Sequence, residues 1–298
     1  MTILLLLTGL VAIAVPGIRP AVLLRAHPRS FTRLASLAVG VGLACVLLAL
    51  LLSVAVGLLH LEFGHRSGGP DHLAPEGTLG AVIAAVVLTI LVIRAADLAV
   101  RSHRTTRRAR PDAWLGHHHR TGGHDLTVLP TPEPIAFSIA GRRRTTIVIS
   151  EGLQASLDEH TLRLVIDHEL AHARAHDRRL LLLARCLDAL APAAPFAGRS
   201  SAAMRIAAER AADEEATGID PALRARLAAH LARPPGALAR CELGCGSYRA
   251  EQLVQGPSRA PVTMAGAVGG LLVIGMIAVA VLAHATNDIS PYLALLAG

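Results

Sequence analysis

Leu34 to Leu59 contains no charged residue. At 1.5 Å of rise per residue, a helix over this stretch exceeds the roughly 30 Å thickness of a bilayer's hydrocarbon core. Three further stretches share the pattern. Thr2 to Ile18 is apolar throughout, with Pro16 near its end. Leu79 to Ile93 is apolar and continues through Arg94 and Asp97 to Val100, and Pro261 to Ala283 is again uncharged. A helix over the third stretch spans if Arg94 snorkels to the interface. The expectation is a mainly α membrane protein with four transmembrane helices at about 2–18, 34–59, 79–100 and 261–284. The first segment has no positive n-region and no convincing small-x-small site before Pro16, which disfavours a cleaved signal peptide.

Composition agrees. Hydrophobic residues make up 52% of the 298 and mean hydropathy is +0.48, while aromatics are 2%, so any core is built of Leu, Ala and Val. The net charge of +7 comes with arginine as the basic residue throughout. Arginines beside apolar segments point to topology rather than to nucleic acid. Arg19, Arg25, Arg29 and Arg33 follow the first segment, and Arg101, Arg104, Arg107, Arg108 and Arg110 follow the third. The second connection carries Arg66 against Glu62, Asp71 and Glu76. By the positive-inside rule the first and third connections face the cytoplasm. The plasma membrane of a bacterium is the expected site, with residues 101–260 as a cytoplasmic domain and 285–298 as a short extracytoplasmic tail. The Arg101–Arg110 run reads as an anchor on anionic lipid. No aromatic platform accompanies it, so direct nucleic-acid binding is not expected.

Within the polar block, His117, His118, His119 and His124 read as a solvated loop, because adjacent histidines on an extended segment point in alternating directions. Leu126–Leu129, Ile135–Ile139 and Thr145–Ser150 are β-prone, the last two forming a hairpin across Gly141 to Arg144. A strand beside a protease cleft can hold a peptide by β-addition. Ser156-Leu157-Asp158-Glu159 matches the S-x-x-E capping box, so a helix is expected from there to about His176. Leu180 to Ala191 is too short to span; it packs on the domain core or lies at the membrane surface, ended by Pro192 and Pro195. Cys45, Cys186, Cys241 and Cys245 make no disulfide framework, and the CxxxC of the last two is neither a thioredoxin nor a zinc-knuckle spacing.

The capped helix carries His168-Glu169-Leu170-Ala171-His172, an HExxH. Residues four apart share a helix face, so both imidazoles can bind one Zn²⁺ while Glu169 serves as the catalytic base. A zinc site needs a third ligand and an open position. His176 continues the stripe, but three histidines at one-turn steps drift by about 40° per step. Position 175 is alanine, so the metzincin pattern is absent. Glu209-Arg210-Ala211-Ala212-Asp213 offers Glu209 as the third ligand and Asp213, one turn along, as a hydrogen-bond partner for a ligating histidine. Glu214 and Glu215 read as a solvated acidic face.

Taken together, Ile149-Ser150-Glu151-Gly152-Leu153, Asp167 through His172, His176-Asp177 and the upstream Ala136-Phe137-Ser138 resemble the BlaR/MecR-type membrane metallopeptidases, with HtpX-type proteases as more distant relatives. The resemblance implies a small α+β gluzincin-like domain with a β-hairpin next to the HExxH helix. It also implies His168, His172 and Glu209 as zinc ligands, Glu169 as base and Asp213 as a supporting residue. Ala212 departs from the cysteine that BlaR/MecR proteins often carry there and is more HtpX-like. No penicillin-binding sensor domain is present in the sequence, so β-lactam sensing is not implied. The expected partners are the lipid bilayer and a protein or peptide substrate, with a BlaI-like repressor as the family's suggestion. Membrane-protein quality control and a non-catalytic membrane sensor are the alternatives. For the second oxyanion donor, Tyr248, His230 and the arginines stay open.

Overall fold

The computed structural model describes residues 2–18, 27–63, 77–114, 117–120, 124–140, 144–192, 194–232, 246–256 and 283. Three apolar helices come first: α1 (Thr2–Ile18), α2 (Pro28–Phe63) and α3 (Gly77–Trp114). Among the described residues two helices are long and apolar enough to cross a membrane, Pro28–Leu58 and Thr78–Arg101, and Thr2–Ile18 is a shorter apolar helix. The expected fourth span and tail lie outside the described residues, apart from Ala283; so do Cys241 and Cys245.

α1 and α2 cross where two glycines meet. A Cβ on Gly9 would sit 2.7 Å from the carbonyl oxygen of Gly42, and one on Gly42 equally close to that of Gly9. Small residues at the crossing let the backbones approach, the usual device of apolar helix pairs. Leu5, Cys45 and Ala49 fill the seam beside it. α3 behaves differently. Leu79, Val82, Ile83, Ile90 and Ile93 are all exposed, so the other described residues leave this apolar face uncovered. α3 also runs on past Val100 through the arginine cluster as continuous helix, with Arg101 paired to Asp97 at 2.9 Å.

A four-stranded sheet follows: β1 (His117–Arg120), β2 (Asp125–Leu129), β3 (Ala136–Ala140) and β4 (Thr145–Ser150), in spatial order β1-β2-β4-β3. β3 and β4 form the expected hairpin, in register from Ala136↔Ile149 to Ala140↔Thr145. β2 and β4 are parallel, and β1 is antiparallel to β2 with His117 opposite Val128. The histidine run expected as loop is therefore a strand; its pairing with β2 supplies backbone hydrogen bonds that local residue preference does not reveal. β3 is an edge strand of the sheet, and it lies against the next long helix.

The helical part comprises α4 (Glu151–Ser156), α5 (Glu159–Arg174), α6 (Asp177–Leu190), α7 (Pro195–Thr217), α8 (Pro221–Leu231) and α9 (Gly246–Gln255). The expected cap is displaced. Ser156 ends α4, its hydroxyl donating to the Leu153 carbonyl, while Asp158 caps α5 by accepting from the N–H groups of His160 and Thr161. A carboxylate one residue ahead of the first turn satisfies two orphan donors at once, which Ser156 from inside the preceding helix does not. Ser150 ties the sheet to α4: its Oγ accepts from Leu153 N at 3.1 Å and from Ile135 N at 2.9 Å. α5 stops at Arg174 rather than at His176, and Pro195 opens α7 instead of ending α6. Proline fits the first helical turn because its missing N–H has no partner there anyway.

Two cores hold the site. Val128, Ile147, Ile149 and Leu153 pack the sheet and α4 against Val165 and Leu170 of α5. A second core joins α1 and α2 to α6 and α7, through Ile13, Phe31, Ala35 and Val39 on one side and Leu180, Leu187, Ala203, Met204, Ala207 and Ala208 on the other. The leucine-rich α6 thus packs into a core, one of its two expected placements. Ser200 adds a polar link, donating from Oγ to the Ile13 carbonyl at 2.7 Å.

Candidate metal centre

α5 and α7 pack side by side, bringing the HExxH turn opposite Glu209. His168 and His172 sit one turn apart with their rings edge to face, centroids 4.7 Å apart. Their Nε2 atoms face each other at 3.1 Å. Glu209 completes the triangle: Oε2 is 3.5 Å from His168 Nε2, and Oε1 is 3.6 Å from His172 Nε2. Four tetrahedral ligands about 2.05 Å from a Zn²⁺ are about 3.3 Å from one another, so this donor set has the spacing of one face of such a tetrahedron. Among the described residues, His168, His172 and Glu209 form a group of side chains that could hold a metal ion.

The far sides of the imidazoles support the same reading. His172 Nδ1 is 2.8 Å from Asp177 Oδ2. A carboxylate accepts only, so Nδ1 carries the proton and Nε2 keeps its lone pair towards the centre. His168 Nδ1 lies 3.0 Å from Asp213 Oδ1, near enough for an ion pair although the N–H is not aimed at the oxygen. Two Nε2 lone pairs 3.1 Å apart repel unless a proton or a metal lies between them. Without metal, burial pulls His168 towards its neutral form. Asp213 and Glu209 outweigh that and push its pKa up to about 10. Glu209 resists ionisation through burial, but His168 and Arg249 hold it down at about 2. The centre is thus preset for positive charge at the imidazole face.

Asp213 is 1% exposed and does more than support His168. Arg249 of α9 forks onto it, Nε to Oδ2 at 2.7 Å and Nη2 to Oδ1 at 2.6 Å, and places Nη1 2.9 Å from Glu209 Oε2. Burial alone would raise the Asp213 carboxyl, and the Arg249 guanidinium drives it well below the usual carboxylate range instead. Arg249 therefore orients both acidic residues of the ExxxD. Among the candidates left open for an oxyanion donor, Arg249 reaches the site but already serves two carboxylates; the side chain of Tyr248 lies outside the described residues. Glu169 is half-buried and, among the described residues, its side chain makes no hydrogen bond or ion pair, which leaves the carboxylate open to act on a proton.

His176, the alternative ligand, is turned away. It adopts φ 57°, its ring Nδ1 is 3.0 Å from the Arg174 carbonyl, and it is exposed. The same left-handed residue reverses the chain between α5 and α6 and returns Asp177 beneath His172. Asp177, Arg249 and Arg29 are functional neighbours that residue patterns did not single out. Asp177 stood within the His176-Asp177 string of the family resemblance, and that was its available signal. Of the two glutamates read as a solvated face, Glu214 pairs with Arg210 at 3.5 Å and Glu215 with Arg29 at 2.9 Å, so both have structural partners instead.

Residues 103–212 match the family model of Peptidase family M48. The matched stretch contains His168, Glu169, His172 and Glu209 and stops one residue before Asp213. No curated protein and no solved structure matches the chain.

Proposed function

We propose that this chain is a membrane-embedded zinc metalloendopeptidase. The observation that carries the reading is the convergence of His168 Nε2, His172 Nε2 and the Glu209 carboxylate at 3.1–3.6 Å inside a stretch similar to a metallopeptidase family. His168, His172 and Glu209 would hold the ion, with Asp213, Asp177 and Arg249 fixing them from behind. Bound zinc would supply Lewis acidity, polarising the scissile carbonyl and acidifying water. Glu169 accepts the proton of the attacking water and returns it to the leaving amine. β3, an edge strand of the sheet among the described residues, would receive an extended peptide, so that backbone hydrogen bonds hold substrates of varied sequence.

The two span-length helices among the described residues, and the apolar face of α3 that those residues leave uncovered, support embedding in the membrane. The arginine-rich connections support a cytoplasmic orientation in the bacterial plasma membrane, with four spans in all. On substrate, the BlaR/MecR resemblance favours regulated cleavage of a BlaI-like repressor. Ala212, fully buried where such proteins often carry cysteine, favours instead an HtpX-like role in membrane-protein quality control. Proteomics of the native cell carrying wild type or Glu169→Gln decides between them: one accumulating repressor supports the first, many accumulating membrane proteins the second. Metal analysis of wild type beside His172→Ala tests the centre itself, and a wild-type protein without zinc refutes it.

A further inference from the structure

Arg29 is out of place by the rules of helix electrostatics. It occupies the first turn of α2, where the helix dipole favours acidic side chains, and that turn carries no acidic residue. It is also unlike its neighbour Arg33, which is exposed: the Arg29 side chain is 16% exposed, and its charge is directed into the protein. One arm, Nη1, lies 3.1 Å from Asp177 Oδ2 and 3.3 Å from Oδ1. The other, Nη2, donates to the Ala171 carbonyl at 3.1 Å and to Glu215 Oε2 at 2.9 Å. Ala171 precedes His172 in the HExxH, Asp177 accepts from the His172 ring, and Glu215 stands on the helix that carries Glu209. A single guanidinium thus touches three elements of the centre: the end of α5, the start of α6 and the last turns of α7.

The support is rigid. Phe31 and Ala35, just beyond Arg29 on α2, are buried in the core shared with Leu180 and Leu187 of α6 and Met204 and Ala207 of α7. A shift of α2 therefore cannot be absorbed by a loose linker; it is delivered to Asp177 and from there to the His172 imidazole.

Building on the metal-centre reading above, we infer that Arg29 is a positioning residue of that centre, and that the seating of the apolar helix α2 sets the orientation of His172. The protease is then built to respond to its membrane helices: whatever displaces α2 loosens a ligand.

Charge and orientation make opposite predictions, which gives the test its edge. Removing a positive charge near a cation site favours metal binding, whereas releasing Asp177 and His172 disfavours it. The experiment uses the full chain in detergent, stripped of metal, with zinc affinity read by competition against a chromophoric chelator and the ligand field read from the visible bands of the Co²⁺ form. Arg29→Ala is expected to weaken zinc by about 10-fold and to shift the Co²⁺ bands, within the range seen when partners behind metal ligands are lost. Arg29→Lys keeps the charge but not the fork, and should fall between Arg29→Ala and wild type. Asp177→Asn should weaken zinc by about 10–100-fold, with Arg29→Ala adding little on top because both act through one hydrogen bond. Arg205→Ala breaks another ion pair between α6 and α7, to Asp188, which is separate from the residues of the centre, and should leave affinity and spectrum unchanged. Circular dichroism of each variant shows whether it is folded. Folded Arg29→Ala that binds zinc as wild type does, or more tightly, overturns the inference and leaves the metal centre standing. If Arg29→Ala does not fold, the Arg29→Lys and Asp177→Asn spectra decide alone, and wild-type bands in both overturn it. A wild type that takes up neither zinc nor Co²⁺ overturns the centre itself, and the inference with it.

Discussion

Replacing Asp213 by alanine is the most severe single test of how the centre is held. The carboxylate is 2% exposed in its side chain and the Arg249 guanidinium 7%, so the substitution leaves a desolvated cation facing a methyl group. Breaking a buried ion pair from one side costs about 3–5 kcal/mol. Arg249 keeps Glu209 at 2.9 Å, and Glu209 is 26% exposed, so the lower end applies: about 3 kcal/mol. For a chain of this size that corresponds to roughly 6 °C in Tm, measured by circular dichroism in detergent with metal removed. Zinc affinity should fall as well, by about 10–100-fold, because the His168 ring loses its partner behind Nδ1. The double substitution Asp213→Ala with Arg249→Met separates the two effects. It removes the orphaned cation, so it should be more stable than Asp213→Ala alone by about 2 kcal/mol, while zinc binding stays weak. If the double variant is as unstable as the sum of the singles, the stranded charge is not the source of the loss and the reasoning fails.

Glu169→Gln should bind zinc like wild type and lose about 10²–10⁴-fold in peptide hydrolysis, measured on a fluorogenic peptide; wild-type turnover would remove Glu169 from the role of base. The metal-free protein has a definite pH profile. The His168 pKa is raised to about 10, so its contribution to stability is complete below the ordinary value of 6.5 and lost as pH rises through about 10. Glu209 is lowered to about 2, so its contribution is present above its ordinary 4.5 and lost as pH falls through about 2. Tm without metal should therefore peak between these limits and decline in alkali; a Tm still rising at pH 9 contradicts this. Zinc must displace the His168 proton, so calorimetry in buffers of differing ionisation enthalpy should show about one proton released near neutral pH. Gly152→Ala would drive a Cβ into the Pro132 carbonyl at the junction of β4 and α4, where backbone meets backbone. The expected outcome is loss of more than about 3 kcal/mol and little folded protein on size exclusion.

The centre's chemistry was legible because it is written in helical register. His168, Glu169 and His172 announce themselves within one turn, and Glu209 and Asp213 within another; a spacing of four survives whatever the tertiary fold does. What holds them was not legible, for two physical reasons. Arginine supplies every basic side chain here, so Arg29 and Arg249 stand out from no background, and each acts across a long stretch of sequence. Asp177 lies beside His172 across the left-handed turn at His176, a conformation uncommon outside glycine that no pattern here foretells. The cap was misplaced by competition at short range. Ser156 and Asp158 both suit an N-terminus, and the presence of the separate helix α4 decides for the aspartate. Strand β1 was missed because its partner β2, not its own residues, makes it a strand.

The core that α1 and α2 share with α6 and α7 bears on how this protein can be divided. A fragment trimmed to the family match would keep the three candidate metal ligands and Glu169, yet would lose Arg29 in front and Asp213 and Arg249 behind. It would also strip the cover from Leu180, Leu187, Met204 and Ala207, turning a buried seam into a sticky surface. The first sixty residues are less a leash than a keystone: cut there, and the piece that looks like an enzyme has nothing left to lean on.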